Sequence, residues 1–390
     1  MKFIDEISLP GKKVLMRVDF NVPLDEHGEV ADDNRIRAAL PSIRHILSQG
    51  GRLILCSHLG RPGGRPAAEF SLQPAARKLA ELLEAEVPLA PDCQGPEVAA
   101  MVNKLKDGGL LLLENLRFHA EETRNEPAFA KAMASMAEAY VNDAFAVSHR
   151  RHASIVSLPR LLPERAAGFL IQREIQYFKQ AIDSPARPLT GIIGGAKVSS
   201  KLQVLENLLG QVDRLIIGGA MANTFLKAKG LNMGASMIEE DLLETARSLL
   251  DRAERQGIKI YLPVDSVTAR ELSEDSPTKT QAVEDISGDW MALDIGPESS
   301  RYFSEALGDA ETIIWNGPMG AFEFEPFSHG TFSTAKAVGR GTALSIIGGG
   351  DTGLAVQRAG EADNISYIST GGGAFLHFLS GRELPGLSAL

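Results

Sequence analysis

Short apolar runs alternate with longer amphipathic stretches along the whole chain. Each run is too short for a helix and ends at Gly, Pro, Asp or Asn, which is typical of a strand. The predicted strands are 13–18, 52–56, 110–113, 139–141, 189–193, 214–217, 259–262, 312–315, 343–347 and 365–368. The stretches with helical periodicity include 73–84, 126–138, 201–209 and 239–256.

Near-continuous apolar strands separated by helices indicate parallel sheets that are covered on both faces. We therefore predict the α/β class, with two doubly wound parallel-sheet (Rossmann-like) domains joined by a hinge helix. A helical pattern over 168–183 is followed by a Pro-flanked break at 184–188, near the middle of the chain. This helix is either the inter-domain connector or an ordinary crossover helix. If it is the connector, the domains are 1–170 and 184–370, joined by 171–183.

The composition is close to that of an average globular protein. The chain has 390 residues, of which 44% are hydrophobic and 23% charged. Cys56 and Cys93 are its two cysteines, which predicts neither a disulfide framework nor a cysteine-based metal site and is typical of a reducing cytosol. We see no signal peptide in the N-terminal residues, and 365–381 is too mixed to span a bilayer. We expect a cytoplasmic protein.

The charge is distributed unevenly. The net charge is −10, which argues against partners such as nucleic acid or an anionic membrane. Residues 1–180 carry 23 basic and 23 acidic side chains, so the remaining residues carry 17 basic and 27 acidic ones. Arginines that gather in the first half therefore do not belong to a general basic field.

Arginines and histidines follow the predicted strands of the first half. Ligands of open α/β sheets bind beyond the carboxyl ends of the strands. The residues found there are Asp19, Asn21, His58, Arg61, Arg117, Arg150 and His152, with Arg35 after a turn-rich segment. Arginine suits phosphate and carboxylate because its planar fork donates in pairs. A single one of these arginines is more often a solvated surface residue, and the histidines could equally cap or pack. Together, they predict a small polyanion site.

Glycines follow the strands of the second half. The sequences are Gly194-Gly195-Ala196-Lys197, Gly218-Gly219-Ala220, Asn316-Gly317-Pro318, Gly348-Gly349-Gly350-Asp351-Thr352 and Thr370-Gly371-Gly372-Gly373. Glycines let backbone N–H groups approach a phosphate, and a following helix adds its positive end. Lys197 and Lys201 lie four residues apart at a predicted helix start, so we expect them to share a face. Asp351 could hold Mg²⁺. Each glycine run alone is more often a tight turn, but several together favour a nucleotide.

Two motif tests limit this interpretation. Residues 348–353 satisfy G-x-G-x-x-G, but the next strand ends without the acidic residue that would bind a ribose. Residues 191–198 do not fit the P-loop pattern. No Ser–His–Asp or Cys–His set is evident as a covalent nucleophile. A two-lobed phosphotransferase for a small acid fits these features best, since its catalysis is mostly positioning and charge neutralisation.

Seven segments resemble phosphoglycerate kinases, in order and over essentially the whole chain. They are 17–23, 57–62, 114–118, 194–198, 315–318, 348–352 and 369–374. The resemblance implies reversible phosphoryl transfer between 1,3-bisphosphoglycerate and ADP, giving 3-phosphoglycerate and ATP with Mg²⁺, in glycolysis and gluconeogenesis. It implies direct transfer after closure of a hinge. It also implies a monomer whose residues 371–390 pack back on the first lobe.

The resemblance also implies roles for individual residues of this chain. The residues that it implies for substrate binding are Asp19, Phe20, Asn21, Arg35, His58, Leu59, Gly60, Arg61, Arg117 and Arg150. Nucleotide binding falls to Lys197, Lys201, Gly218, Gly219, Asn316, Glu323, Gly348, Gly349, Gly350, Asp351 and Thr352, with Asp351 as the metal ligand. Catalysis falls to Arg35, Lys197, Gly371 and Gly372. A non-catalytic protein that binds a phosphorylated acid is the second interpretation, and a dehydrogenase is the third.

Overall fold

The computed structural model describes residues 1–390, which form two compact units. The first unit comprises Met1–Gln176 and Glu383–Leu390, and the second comprises Tyr177–Arg382. The chain passes from one to the other within the helix Phe169–Phe178. The first border thus lies within the expected connector 171–183, whereas the second unit continues beyond the expected 370 to Arg382.

The first unit is built on a five-stranded parallel sheet with helices around it. Its strands are β1 Lys13–Arg17, β2 Arg52–Cys56, β3 Leu110–Leu112, β4 Ala139–Asn142 and β5 Glu164–Ala167. Its helices are α1 Asn34–Ser48, α2 Gln73–Leu83, α3 Pro96–Asn103, α4 Ala120–Arg124, α5 Pro127–Ala134, α6 Leu158–Arg160 and α7 Phe169–Phe178. The strand order is β3-β2-β1-β4-β5. All four strands predicted for this half are present.

Successive side chains of each strand enter opposite layers of this core, as the pleat requires. Val14 and Met16 of β1 join a buried cluster with Ile36 and Ile43 of α1. Leu15, between them, joins a second cluster on the other face, which contains residues of α3 and α5. Both faces are therefore apolar, which explains why β1 appears in the sequence as a continuous apolar run.

The second unit contains a six-stranded parallel sheet. The elements of this unit are β6 Leu189–Ile193, α8 Leu202–Leu208, β7 Arg214–Ile217, α9 Met221–Ala228, α10 Leu243–Arg255, β8 Lys259–Tyr261, β9 Asp265–Ala269, β10 Lys279–Ala282, β11 Met291–Ile295, α11 Pro297–Leu307, β12 Thr312–Asn316, α12 His329–Arg340, β13 Leu344–Gly348, α13 Gly350–Arg358, β14 Tyr367–Ser369 and α14 Gly372–Leu379. The strand order is β14-β13-β12-β6-β7-β8, so all six predicted strands pair in one sheet.

Four strands were not predicted from the sequence, and each lacks a continuous apolar run. β5 lies at the edge of the first sheet and contains Glu164 and Arg165, so its exposed side carries polar residues. β9, β10 and β11 form a separate antiparallel sheet in the order β10-β9-β11. Its edge strand β10 is largely exposed, and the consecutive polar residues 279–281 give no signal of a buried strand.

The last eight residues belong to the first unit. They contain α15 (Pro385–Ser388), and the backbone N–H of Gly386 donates to the carbonyl of Ser148 at 2.9 Å. A Cβ on Gly386 would lie 3.0 Å from the Cα of Ser148, so this contact needs a glycine. Residues 371–382, also expected to pack on the first lobe, belong to the second unit instead. There, the amide of Asn207 donates to the carbonyl of Leu379 at 2.7 Å. None of the helices combines the length and apolarity needed to cross a bilayer.

Candidate active site

The first unit brings its predicted anion-binding residues to one edge of its sheet. Parallel pairing of β3, β2, β1 and β4 places their carboxyl ends side by side. The segments that follow these strands carry Asp19 and Asn21, then His58, Gly60 and Arg61, then Arg117, and finally Arg150. The sheet topology thus assembles residues that are up to about 130 positions apart in the sequence.

An arginine-lined cavity of about 550 Å³ opens at this edge. We call it the arginine cavity, and its lining consists of Arg61, Pro62, Gly63, Gly64, Arg117, Ala120, Thr123, Arg124, Arg150 and His152. Burial, with the neighbouring charges of Arg150 and Arg17, lowers the pKa of Arg117 to about 10. Burial also lowers the pKa of Arg150. Guanidinium groups that share a partly buried cavity favour an anion that neutralises them.

Arg35 lies beside Asp19 at the same edge. Its Nη1 donates to Oδ2 of Asp19 at 2.9 Å and to the carbonyl of Asn21 at 3.1 Å. Asp19 is buried, whereas about a third of the Arg35 side chain is exposed. The Asn21 amide oxygen accepts from the backbone N–H of Gly60 at 2.8 Å, which connects the segments after β1 and β2. Arg35 is thus held by one carboxylate and one carbonyl, while much of its guanidinium remains available to a substrate.

Phe20 and Leu59 occupy a different environment from the polar residues of the predicted set. Both side chains are buried and belong to the apolar core of the first unit. The backbone N–H of Phe20 donates to Oγ of Ser57 at 2.8 Å. The side chains of Phe20 and Leu59 therefore pack in the core and stabilise this edge of the sheet.

His58 is held in one tautomer by Arg17. The imidazole is buried, and its Nδ1 lies 3.1 Å from Nη2 of Arg17. Because arginine can only donate, Nδ1 is the acceptor and the ring proton resides on Nε2. Burial, together with the charges of Arg17 and Arg117, lowers the pKa of His58 well below its usual value. His58 is therefore a neutral hydrogen-bond donor.

Glu122 and Ser154 complete this network. The buried Glu122 carboxylate accepts from the backbone N–H of Ser154 at 2.9 Å and from its hydroxyl at 2.6 Å. The Ser154 hydroxyl in turn accepts from Nε of Arg17 at 3.1 Å. Sequence reasoning assigned no role to Glu122, Ser154 or Arg17. A helix-forming segment with adjacent acidic residues gives no signal that one of them is buried.

The second unit assembles its glycine-rich segments at the carboxyl edge of its larger sheet. Gly195, which follows β6, donates its N–H to the carbonyl of Pro318, which follows β12, at 2.9 Å. Gly219, which follows β7, has φ +66°, and a Cβ there would lie 2.5 Å from the backbone nitrogen of Gly195. Gly218 is equally restricted, because a Cβ there would meet Sδ of Met319 at 2.4 Å. The three segments pack backbone against backbone, which leaves a surface of main-chain groups.

Lys201 is buried against carbonyl groups of this surface. Its Nζ donates to the carbonyl of Gly194 at 2.6 Å and to that of Asn316 at 3.1 Å. Burial lowers its pKa to about 8, and the nearby charge of Asp351 opposes that shift. This lysine joins the ends of β6 and β12 and places a positive charge beneath the glycine segments.

Lys197 does not share a helical face with Lys201. The helix α8 begins at Leu202, so residues 197–201 form turns and the four-residue spacing has no helical meaning. The expectation of one common face is therefore wrong. Lys197 is exposed, and the hydroxyl of Ser200 donates to its carbonyl at 2.8 Å. Its ammonium group is therefore accessible from solvent, which a lysine that binds a charged ligand needs.

Two helices begin next to each other at this edge. α13 starts at Gly350 and α14 at Gly372, and a Cβ on Gly372 would lie 3.1 Å from the Cα of Gly349. Gly371 precedes α14, and its N–H donates to Oγ of Ser369 at 3.2 Å. Adjacent helix N-termini concentrate unpaired N–H groups and positive potential, which favours phosphate.

Asn316, Thr352 and Gly348 are positioned by contacts within the same edge. The Asn316 amide donates to the carbonyl of Gly348 at 2.6 Å, and Oγ1 of Thr352 accepts from the N–H of Gly317 at 2.7 Å. Thr352 is buried, so its hydroxyl has a structural role in this conformation. Glu323 is exposed and lies in the segment after β12, next to the buried Phe322.

Asp351 offers a suitable ligand for Mg²⁺. Its carboxylate is exposed in the first turn of α13, beside the glycines of that segment. Magnesium in nucleotide sites is bound through one or two carboxylates together with phosphate oxygens and water. The donor set therefore fits the ion as a partner of a bound nucleotide.

Comparisons with known proteins point to one family. The family model described as phosphoglycerate kinase matches residues 4–382. The chain is 56% identical to the phosphoglycerate kinase of Desulfotalea psychrophila over 390 residues, covering all of both chains. It is 55% identical to that of Geobacter metallireducens, covering all of this chain and 98% of the relative.

The chain belongs to the phosphoglycerate kinase family.

Solved structures show the same two-unit fold. The phosphoglycerate kinase of Coxiella burnetii has a TM-score of 0.90 at 40% identity, covering 99% of this chain and 97% of the other. That of Pyrococcus horikoshii has a TM-score of 0.88 at 33% identity, covering 100% of this chain and 98% of the other. Family membership makes the chain a phosphotransferase of glycolysis and excludes the alternatives of a dehydrogenase and a non-catalytic binding protein.

Proposed function

We propose that this phosphoglycerate kinase transfers a phosphoryl group reversibly between 1,3-bisphosphoglycerate and MgADP, giving 3-phosphoglycerate and MgATP. The acceptor in the reverse direction is the carboxylate of 3-phosphoglycerate. The arginine cavity carries this proposal, because Arg61, Arg117 and Arg150 line one partly buried space together with His152. The charges of Arg117 and Arg150 also act on the neutral His58. We further propose that the transfer is direct, without a covalent intermediate on the protein.

The first unit supplies the groups that would hold the acid. Arg61, Arg117 and Arg150, with the Nε2–H of His58, suit the phosphate that is not transferred. Asp19 and Asn21 suit the hydroxyl of the glycerate, since a carboxylate and an amide both accept hydrogen bonds.

Arg35 has a separate position in the proposal. It contacts Asp19 in the absence of substrate and keeps part of its guanidinium exposed. Arg35 therefore suits the charge that develops on the transferring group.

The second unit supplies the groups that would hold the nucleotide. Gly218 and Gly219 form part of a surface without side chains, against which the flat adenine ring could pack, and Glu323 suits the ribose. Asn316, the glycines of 348–350 and Thr352 would line the phosphates. Bound Mg²⁺, held by Asp351, would neutralise charge on the phosphate oxygens.

The same unit also supplies groups for the transfer itself. The two lysines, Lys197 and Lys201, bring positive charge to the phosphates. Gly371, whose N–H donates to Ser369, and Gly372 form the start of α14, and the first backbone N–H groups of that helix would point toward the transferring phosphoryl group.

We infer that the two units must approach each other during the reaction. The proposed acid-binding residues belong to the first unit, and the proposed nucleotide-binding residues belong to the second. Direct transfer needs the reacting atoms within about 3–3.5 Å and exclusion of water. Bending at α7 and the residues that follow it, 179–183, would meet both needs. We further propose a monomeric, cytoplasmic enzyme, which is consistent with its two free, buried cysteines.

Steady-state kinetics with MgATP test the acceptor. 3-Phosphoglycerate is compared with glycerate, which lacks the phosphate that the arginines are proposed to hold. We expect turnover with 3-phosphoglycerate and a kcat/KM at least about 10²-fold lower with glycerate. Arg150→Ala should reduce this preference, whereas Arg151→Ala, an exposed neighbour, should keep it. Equal kcat/KM for both acceptors would contradict the assignment of the arginine cavity.

A further inference from the structure

Three metal-ligating side chains meet in the first unit, outside the residues assigned to the reaction. They are Asp92, Cys93 and His119, which we call the Asp-Cys-His cluster. Their ligand atoms all lie within 4.8 Å of one another. Asp92 and Cys93 lie in the segment before α3, and His119 lies immediately before α4. None of the three lines the arginine cavity.

The contacts within the cluster hold its ligand atoms toward a common centre. Nε2 of His119 lies 2.7 Å from Oδ1 of Asp92. The same carboxylate oxygen accepts from the backbone N–H of Cys93 at 2.6 Å. Nδ1 of His119 lies 3.3 Å from the side-chain nitrogen of Gln94, which orients the ring from its other side. A cation on Nε2 would place the ring proton on Nδ1. The Gln94 amide would then have to turn its oxygen to that position, where it would accept from Nδ1–H as the usual partner of a metal-ligating histidine does.

We propose that the Asp-Cys-His cluster binds one thiophilic divalent cation, of which Zn²⁺ is the best match. One thiolate, one imidazole and one carboxylate are ligands that zinc accepts, with water in a fourth position. Bond lengths of about 2.0–2.3 Å in a tetrahedral site place neighbouring ligand atoms roughly 3.3–3.8 Å apart. The observed separations, from 2.7 Å to at most 4.8 Å, bracket that range. Binding therefore needs side-chain adjustments of about an ångström and no movement of elements.

The charge of the cluster matches a divalent ion. A thiolate and a carboxylate together carry two negative charges, and a neutral imidazole adds none, so the occupied site has no net charge. This matters because Cys93 is fully buried among the apolar side chains of one core cluster, which includes Phe129. An uncompensated ion in such surroundings is costly, whereas a neutral metal site is not.

The surroundings also provide access from solvent. About 45% of the Asp92 side chain and 22% of the His119 side chain are exposed, whereas Cys93 is covered. The ring of Phe129 lies 5.4 Å from that of His119, centroid to centroid, and covers one side of it. The ion could thus enter from the side of Asp92, where a water ligand also has room.

Binding should release a proton from the thiol. Burial and the neighbouring Asp92 raise the pKa of Cys93 well above its usual value, so the metal-free cluster holds a protonated thiol. Ligation requires the thiolate, so the cation replaces the thiol proton as it binds. This site could not be predicted from the sequence, because His119 is 26 positions from Cys93 and neither residue belongs to a recognisable metal motif.

Titration of the full chain with Co²⁺ and Zn²⁺, after treatment with a chelator, tests the proposal. We expect one Co²⁺ per chain with a thiolate-to-cobalt absorption band that Zn²⁺ abolishes and excess Mg²⁺ does not. Cys93→Ala should remove the band, and His119→Gln or Asp92→Asn should weaken Zn²⁺ binding about tenfold or more. Cys56→Ala, which removes the other buried cysteine of the same core cluster, should retain both.

Two results would overturn the proposal. One is the absence of stoichiometric Zn²⁺ binding to the native chain by calorimetry. The other is a band that survives Cys93→Ala or binding that His119→Gln leaves unchanged. His119 and Asp92 are partly exposed, so their variants keep the test decisive even if the buried Cys93→Ala chain does not fold.

Discussion

Arg17 donates a hydrogen bond from Nη2 to Nδ1 of His58 over 3.1 Å, and both side chains are buried. A fully buried arginine without a direct carboxylate partner would be costly. The hydroxyl of Ser154 provides the connection, since it accepts from Arg17 and donates to Glu122. This chain of hydrogen bonds from Arg17 through Ser154 to Glu122 balances the charge of Arg17. The contact of Arg17 with Nδ1 keeps the ring proton of His58 on Nε2, from which it can donate a hydrogen bond to an anion.

Ser154→Ala should disturb substrate binding without removing any group that touches substrate. Nε of Arg17 then loses its acceptor, and Arg17 holds His58 less firmly. We expect KM for 3-phosphoglycerate to increase several-fold, with a smaller change in kcat, and a loss of stability of about 1–2 kcal/mol. Ser157→Ala is the matched control, because its hydroxyl bonds to Asn125 instead. Unchanged KM in Ser154→Ala would show that this chain of hydrogen bonds does not position His58.

Arg35→Ala should lower kcat far more than it weakens the binding of 3-phosphoglycerate. A contact made mainly in the transition state appears in kcat, by about 10² or more. Arg37→Ala is the control, since Arg37 lies on the same helix α1 and pairs with Asp33 at 2.8 Å. Steady-state kinetics measures kcat of both variants, and titration calorimetry measures their affinity for 3-phosphoglycerate. A large loss of affinity with unchanged kcat would mean that Arg35 holds only the ground state.

The nucleotide affinity should depend on pH through Lys201. Its pKa, about 8 in the free protein, should rise when phosphate binds nearby, because the anion stabilises the ammonium form. Above pH 8, MgADP binding must then take up a proton, and affinity falls as the pH rises through 8. Calorimetry at pH 8.5 in buffers of different ionisation enthalpy should detect uptake, whereas pH 6.5 should show none. Absence of uptake at pH 8.5 would contradict a role for Lys201 at the phosphates.

The strands could be predicted from the sequence because parallel sheets that are buried on both faces need continuous apolar runs. Leu53, Ile54 and Leu55 are all buried, and such runs identified every strand of the six-stranded sheet and four of five in the other. The run at β5 is absent, because Glu164 and Arg165 occupy an edge strand. Edge strands and antiparallel strands are not buried on both faces, so their sequences lack the continuous apolar run that identifies a strand.

Site residues that directly follow strands could be predicted from the sequence. Site residues that are selected by their burial in the folded structure could not. Arg61, Arg117 and Arg150 follow strands, so topology alone brings them together. Glu122 could not be distinguished from its neighbour Glu121 by residue type, although only Glu122 is fully buried. Such side chains are selected by tertiary packing, which a single sequence does not display.

Small-angle scattering should detect the approach of the two units. The radius of gyration is measured without ligand, with 3-phosphoglycerate, with MgADP and with both. We expect the largest decrease in the radius of gyration with both ligands, because only then does each unit have its own substrate bound. A constant radius in an active sample would show that transfer needs no bending at α7.

Transfer of the phosphoryl group of ATP to the carboxylate of 3-phosphoglycerate is tested most directly through its product, an acyl phosphate. Hydroxylamine traps the acyl phosphate formed by such a transfer as a hydroxamate, whereas a phosphate ester or free phosphate gives none. We expect hydroxamate and ADP in equal amounts, and only when MgATP and 3-phosphoglycerate are both present. Release of ADP without hydroxamate, or no reaction with both substrates present, would contradict it.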